Sequence, residues 1–243
     1  MQLLVVGAGE MGRWFARESG AGTVAFADRD PETAREAAAA IAGSRAVPLD
    51  TDETFDVVCH AVPMSSTPAA IEAHAGKATG AVVDVAGEMR DSVAALESHA
   101  ESRACASFHP LFSASNAPGN VPSVVVRDGP AIGRLRSALE AAGNEVFETT
   151  VEEHDRAMET VQAKAHTAVL AYALAAEEID PRFQTAFSEP LSELVERLTG
   201  DTPEVYAEIQ ARFDGSTPVA DAAAEIAAAD AETFVELYEE AGE

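Results

Sequence analysis

The chain has 243 residues, 47% apolar and 24% charged, a mixture that suits one moderate or two small folded domains and excludes a disordered tail. Forty-two acidic residues stand against 16 basic ones, and the net charge of −26 makes a surface that repels nucleic acid and anionic membrane. Self-repulsion of that size weakens a compact state in dilute buffer and is screened at about 1 M salt, where the Debye length is roughly 3 Å, so a halophilic protein that loses structure when desalted is expected.

Up to about residue 150, short β-rich runs alternate with alanine-rich helical patterns, which predicts an α/β fold with a doubly wound, mostly parallel sheet. The predicted strands are Leu3–Val6, Thr23–Ala27, Arg45–Pro48, Asp56–Ala61, Gly80–Val85, Ala104–Phe108, Ser123–Arg127 and Glu145–Thr149. After Thr150 the strands stop. Helical patterns begin at Val151, run past Glu177, and resume at Ser188, Pro203 and Pro218. Two domains follow from this change, a dinucleotide-binding domain over 1–150 and an all-helical domain over 151–243. The second holds 22 acidic and five basic residues, so each of its cations is worth inspecting. Cys59 and Cys105 lie in apolar runs without ligand spacing, which predicts buried thiols and no metal site. No run approaches the roughly 18 apolar residues of a membrane span, and a cytoplasmic protein is expected.

Gly7-Ala8-Gly9-Glu10-Met11-Gly12 follows a predicted strand and opens a helix, and Asp28 ends the next strand 21 residues on. In that pattern Gly7 permits a tight turn, Gly9 lets backbone approach a pyrophosphate, and Gly12 lets helix and strand pack closely. The first helical turn, with Glu10 and Met11, offers N–H groups to the phosphates. Asp28 suits the adenosine ribose of NAD. Arg29 beside it suits a 2′-phosphate, so NADP stays open. Val62 and Pro63, at the end of the fourth strand, fall where such sheets meet their ligand.

Removing hydride from an alcohol carbon needs a group to hold the hydroxyl proton, and a histidine is suited to it. His109 follows the strand Ala104–Phe108 and is stiffened by Pro110, which places an imidazole at a strand's carboxyl end. His60 reads as a mid-strand core residue, and His74 and His99 as helix-surface residues. His154 and Asp155 read as chemistry of a helix N-terminus. Gln162 and His166, four residues apart, share a helix face and can line a pocket.

Taken together, Gly7 to Gly12, Asp84-Val85-Ala86, His109-Pro110-Leu111-Phe112, Glu153-His154-Asp155 with Gln162 and His166, and Arg197-Leu198 ahead of Pro203-Glu204-Val205-Tyr206 resemble the prephenate dehydrogenases in order and spacing, over residues 1 to about 210. The resemblance implies NAD(P)-dependent oxidative decarboxylation of prephenate to 4-hydroxyphenylpyruvate, by a homodimer. Arogenate, or a small imine or hydroxy acid handled on the same architecture, is the alternative substrate. His109 resembles the family's catalytic histidine, Arg197 its carboxylate-binding arginine and His166 a second pocket histidine. Gln162 and Ser113 join the substrate-contacting set. The sequence departs from the family where Asp-x-x-Ser-x-Lys becomes Asp84-Val85-Ala86-Gly87-Glu88-Met89-Arg90. The serine is absent, and Arg90 is the candidate replacement for the lysine. Ser113 stands where glycine is usual.

Overall fold

The structure is a computed structural model describing residues 1–200 and 202–242. The chain divides into two compact units, the first covering Met1–Asp155 and the second starting at Arg156.

The first unit is built on eight strands: β1 (Gln2–Val6), β2 (Thr23–Ala27), β3 (Ser44–Ala46), β4 (Phe55–His60), β5 (Ala78–Asp84), β6 (Ala104–Phe108), β7 (Asn120–Arg127) and β8 (Glu145–Glu148). They form one sheet in the order β3-β2-β1-β4-β5-β6-β7-β8. All neighbouring pairs are parallel except β6 and β7. The helices are α1 (Glu10–Glu18), α2 (Pro31–Ala40), α3 (Thr67–His74), α4 (Arg90–His99) and α5 (Pro130–Ala141).

The central strands are apolar at successive positions because both their faces are covered. Leu3, Val5, Val57, Cys59 and Val83 pack with Trp14 and Phe15 of α1, Ala34 and Ala37 of α2, and Ile132, Leu135 and Leu139 of α5. The alternate residues Leu4, Val6, Val58 and Val82 pack with Ile71 of α3 and Leu96 of α4. Strand period and helix assignment therefore agree, as a doubly wound α/β sheet requires. After β1 the chain builds outward through β2 and β3, then returns to β4 on the other side of β1. This reversal opens a crevice at the strands' carboxyl ends.

The second unit is helical. A helix α6 (Val151–Met158) widens into a π-type segment, Glu159–Lys164, before α7 (Ala165–Ala175); α8 (Ser188–Thr199), α9 (Pro203–Arg212), α10 (Ser216–Ala228) and α11 (Ala231–Glu240) follow. The π segment is held from its own unit: Gln210 Nε2 donates to the Ala163 carbonyl at 2.9 Å, and Thr167 Oγ1 donates to Gln210 Oε1 at 3.0 Å. Gly215 closes on the same residue, since a Cβ there would lie 2.3 Å from the Ala163 carbonyl carbon.

Three expectations are corrected. The helix predicted to run past Glu177 ends at Ala175, with Ala176 extended. Two adjacent acids at the negative end of the helix dipole, then Pro181, disfavour continuation. His60 is not mid-strand but the last residue of β4. The unit boundary also leaves the opening of α6, with His154 and Asp155, packed in the first unit.

Candidate active site

Gly7 turns the chain out of β1 with φ of +97°, a conformation that favours glycine, and its N–H donates to the Ala27 carbonyl at 2.9 Å. A Cβ there would lie 2.2 Å from the Ala61 carbonyl oxygen and 3.0 Å from Val62 Cγ1, so the end of β4 presses on the turn. Gly9 is different: a Cβ there meets nothing within 4 Å. It caps α1 without a side-chain acceptor, so the cap residue satisfies none of the first-turn N–H groups of Glu10, Met11 and Gly12. Asp28 is held against this loop. Its Oδ2 accepts from the Ala8 N–H at 2.8 Å and its Oδ1 from the Asp30 N–H at 2.9 Å. Arg29 is exposed beside it. Pro63 is exposed at the start of a short turn, with its carbonyl accepting from Thr67 Oγ1 at 3.2 Å. An uncapped helix start, an open glycine and a fixed carboxylate fit a dinucleotide.

The position of His109 is fixed by strand pairing that continues past β6. Its N–H donates to the Pro122 carbonyl at 3.0 Å, and Leu111 N–H donates to the Asn120 carbonyl at 2.9 Å. Phe112 then packs edge-on against Trp14, with ring centroids 5.3 Å apart. The imidazole is buried. His109 Nδ1 lies 2.8 Å from His154 Nε2, and His154 Nδ1 lies 2.8 Å from Asp155 Oδ1. Asp155 Oδ1 also accepts the Met89 N–H at 3.3 Å, and Arg90 Nε stands 3.8 Å from Asp155 Oδ2. On the other side of the ring, a Cβ placed on Gly87 would lie 3.4 Å from His109 Nε2 and 2.9 Å from Met64 Sδ. Burial, with the neighbouring His154, pushes the pKa of His109 down to about 3, so the ring is a neutral base near pH 7.

Beneath the crevice runs a row of buried polar residues, His60, Asp84 and Ser107, in register on β4, β5 and β6. His60 Nδ1 lies 3.2 Å from the Val83 carbonyl. Asp84 Oδ1 accepts from Ser107 Oγ at 2.9 Å and from the Ala86 N–H at 3.0 Å. Burial lowers His60 to about 4 and raises Asp84 to about 7.

These shifts give stability a defined pH dependence. The two imidazoles take protons near pH 6.5 in the unfolded chain but only near 4 and 3 in the folded one, so they withdraw stability as pH falls below 6.5. Asp84 acts oppositely, keeping its proton to about pH 7 when folded against 3.8 when unfolded, and so withdraws stability as pH rises between those values. Two histidines outweigh one aspartic acid. The urea midpoint, measured at constant high salt, should fall as pH is lowered from about 6.5 to 4. Asp84→Asn keeps the Oδ1 acceptor and removes the opposing contribution, so the fall should steepen and the midpoint should rise at pH 8. A midpoint that climbs on acidification contradicts burial of neutral imidazoles.

The other predicted site residues are distributed as follows. Ser113 is half-buried at the start of a short turn, where Asn116 Nδ2 donates to its Oγ at 2.9 Å and Ser115 Oγ lies 3.1 Å away. Gln162 lies in the π segment of the second unit. His166 opens α7 and stacks edge-on against Tyr206 of α9, with ring centroids 4.9 Å apart. Burial lowers its pKa, and its Nδ1 is buried with no partner among the described residues. Arg197 is exposed near the end of α8, and among the described residues no carboxylate pairs with it.

His154 and Asp155 are the residues whose partnership with His109 sequence reasoning missed. Besides standing near the start of α6, they are buried groups bonded toward His109. One signal was present in the chain: a histidine followed by an acid at a helix start, in a protein with another histidine at a strand end.

No family model matches the chain. The 4-amino-4-deoxyprephenate dehydrogenase of Streptomyces pristinaespiralis is 28% identical, over 98% of this chain and 88% of its own. Prephenate dehydrogenase from A. aeolicus, solved with hydroxyphenyl propionate and NAD+, superposes with a TM-score of 0.74 at 17% identity, covering 99% of this chain and 92% of that one. Synechocystis arogenate dehydrogenase gives a TM-score of 0.59 at 20% identity, over 87% of this chain and 84% of its own. The chain has the fold of the prephenate dehydrogenases, a Rossmann-like α/β unit followed by a helical part.

Proposed function

We propose that the protein is an NAD(P)-dependent dehydrogenase that oxidatively decarboxylates prephenate to 4-hydroxyphenylpyruvate. The observation that carries this reading is a buried neutral imidazole, His109, backed by His154 and Asp155, in the same unit as a dinucleotide cradle. Gly7, Gly9, Gly12 and the first turn of α1 would hold the pyrophosphate, Asp28 the ribose, and Val62 and Pro63 would border the nucleotide. When bound, the nicotinamide accepts the hydride. His109 Nε2 accepts the hydrogen bond of the hydroxyl on the carbon that loses hydride, drawing the proton as the C–O bond gains carbonyl character. The ring carboxylate leaves as carbon dioxide, its bonding electrons complete the aromatic ring, and the proton returns to the phenol oxygen. No net proton is released.

Arg197 is assigned to a substrate carboxylate, and His166, Gln162 and Ser113 to the substrate's polar groups. A dianion approaching a chain of net charge −26 needs such an anchor, and cations in residues 151–243 are few. The relative from Streptomyces supports a second reading, in which the reacting carbon carries an amino group. An ammonium must first lose a proton, and the arylamine product does not take it back near pH 7, so that reaction releases one net proton.

Prephenate, arogenate and 4-amino-4-deoxyprephenate, each assayed with NAD and NADP in about 1 M salt, decide among these readings. Prephenate with NAD should give the highest kcat/KM, with carbon dioxide released and no proton taken up or set free beyond that of carbon dioxide hydration. One proton more than carbon dioxide hydration supplies, accompanying preferred turnover of the amino substrate, selects the second reading. Turnover of none of the three overturns both.

The protein is further proposed to be a salt-adapted cytoplasmic homodimer, assembled through its helical part. No residue of α7 is buried, and Leu174, Phe183 and Phe187 are strongly exposed. Those faces would otherwise meet water. Sedimentation of the full chain in about 1 M salt should show twice the chain mass; a monomer at micromolar concentration contradicts the dimer.

A further inference from the structure

We propose that His154 and Asp155 are positioning residues that lock His109 in the tautomer whose Nε2 is the proton acceptor. The inference rests on His109 being the base of the proposed reaction.

The direction of the chain is set at its far end. Asp155 Oδ1 receives the Met89 N–H at 3.3 Å, and Arg90 Nε lies 3.8 Å from Oδ2, so both neighbours suit a carboxylate that accepts. An accepting Oδ1 at 2.8 Å requires His154 Nδ1 to carry its proton. When the His154 ring carries only that one proton its Nε2 is bare, and the 2.8 Å contact with His109 Nδ1 then places the shared proton on His109. His109 Nε2 is left as the acceptor, on the ring edge that faces Gly87 and Met64. With a single proton on His154, the reverse order would set a bare His154 Nδ1 against a carboxylate oxygen inside the protein, two acceptors with no proton between them. The same backing explains why a buried imidazole can hold a proton transiently: positive charge on His109 is passed by hydrogen bonding toward Asp155, and no bond other than N–H is made or broken.

The tautomer is read directly by nitrogen-15 resonance of the histidine-labelled full chain without substrate, in about 1 M salt, with His109 assigned by loss of its signals in His109→Gln. The expected result is a protonated Nδ1 and a bare Nε2. Asp155→Asn can donate to His154 Nδ1, which reverses the chain and moves the His109 proton to Nε2. Its kcat should fall about 100-fold or more, as when a triad carboxylate becomes an amide, while NAD affinity and the KM for prephenate change little. His154→Gln keeps an oxygen acceptor for His109 Nδ1 and should retain at least about tenfold more kcat than His154→Leu. A wild-type His109 protonated on Nε2 overturns the proposal, as does an Asp155→Asn enzyme with unaltered tautomer and kcat. If Asp155→Asn fails to fold, the wild-type spectrum decides alone. Because that spectrum needs no turnover, the relay stands if the tautomer is as expected and no substrate reacts; the reading of function then fails instead.

Discussion

His109→Asn should bind NAD with unchanged affinity and turn over prephenate about 100- to 10,000-fold more slowly, the usual cost of removing a general base. Asparagine can keep a hydrogen bond toward His154 but has no nitrogen able to take a proton. The loss should appear in kcat, because the hydroxyl's proton moves only as hydride leaves, and an interaction made in the transition state is the one removed. The group's environment sharpens the expectation. With a pKa pushed down to about 3, His109 is already in its base form at neutral pH, so kcat should not fall with the titration of a free imidazole near 6.5. Comparison of thermal melts and NAD titrations separates lost chemistry from lost structure, and unchanged turnover removes His109 from the reaction.

Gly12→Ala has the largest expected effect on the fold. A Cβ at this position would sit 2.0 Å from the Gly7 carbonyl oxygen and 3.1 Å from Val5 Cγ1. Neither α1 nor the strand-to-helix turn can yield that distance without unpacking Trp14 and Phe15 from the sheet. Overpacking in a filled core costs typically about 1–3 kcal/mol and more where backbone must move, so about 3 kcal/mol or more is expected, with NAD binding lost. Gly9→Ala is the matched control. A Cβ there meets nothing within 4 Å, so the urea midpoint should hold while NAD affinity drops, because the methyl occupies the space through which backbone approaches the pyrophosphate. Equal destabilisation by both substitutions would contradict this division of labour between a packing glycine and a ligand glycine.

Much of this architecture was legible before any coordinates. All eight predicted strands occur, with ends displaced by no more than three residues. Apolar runs bounded by turn residues, alternating with alanine-rich helical patterns, admit few arrangements other than a sheet covered on both faces. The glycine spacing and Asp28 were legible for a related reason: each answers to a steric demand local to one strand-turn-helix passage. Helix ends were less so. The stop at Ala175 depends on acids and a proline several residues on, and the π segment at Glu159–Lys164 is held by Gln210 and Gly215, more than 40 residues away in the chain.

By itself the sequence determined the doubly wound sheet, the glycine turn between β1 and α1, the acidic composition and the place of His109 at a strand's end, because periodicity, glycine stereochemistry and charge act over short stretches of chain. Only the tertiary structure decided what stands behind that histidine. His154 and Asp155 were legible as helix-start residues and as nothing more, since His109 and His154 stand 45 positions apart in the chain and only the fold brings their rings together. A hydrogen bond between side chains depends on a distance of 2.8 Å, and distance across a fold is set by packing, which no local pattern encodes.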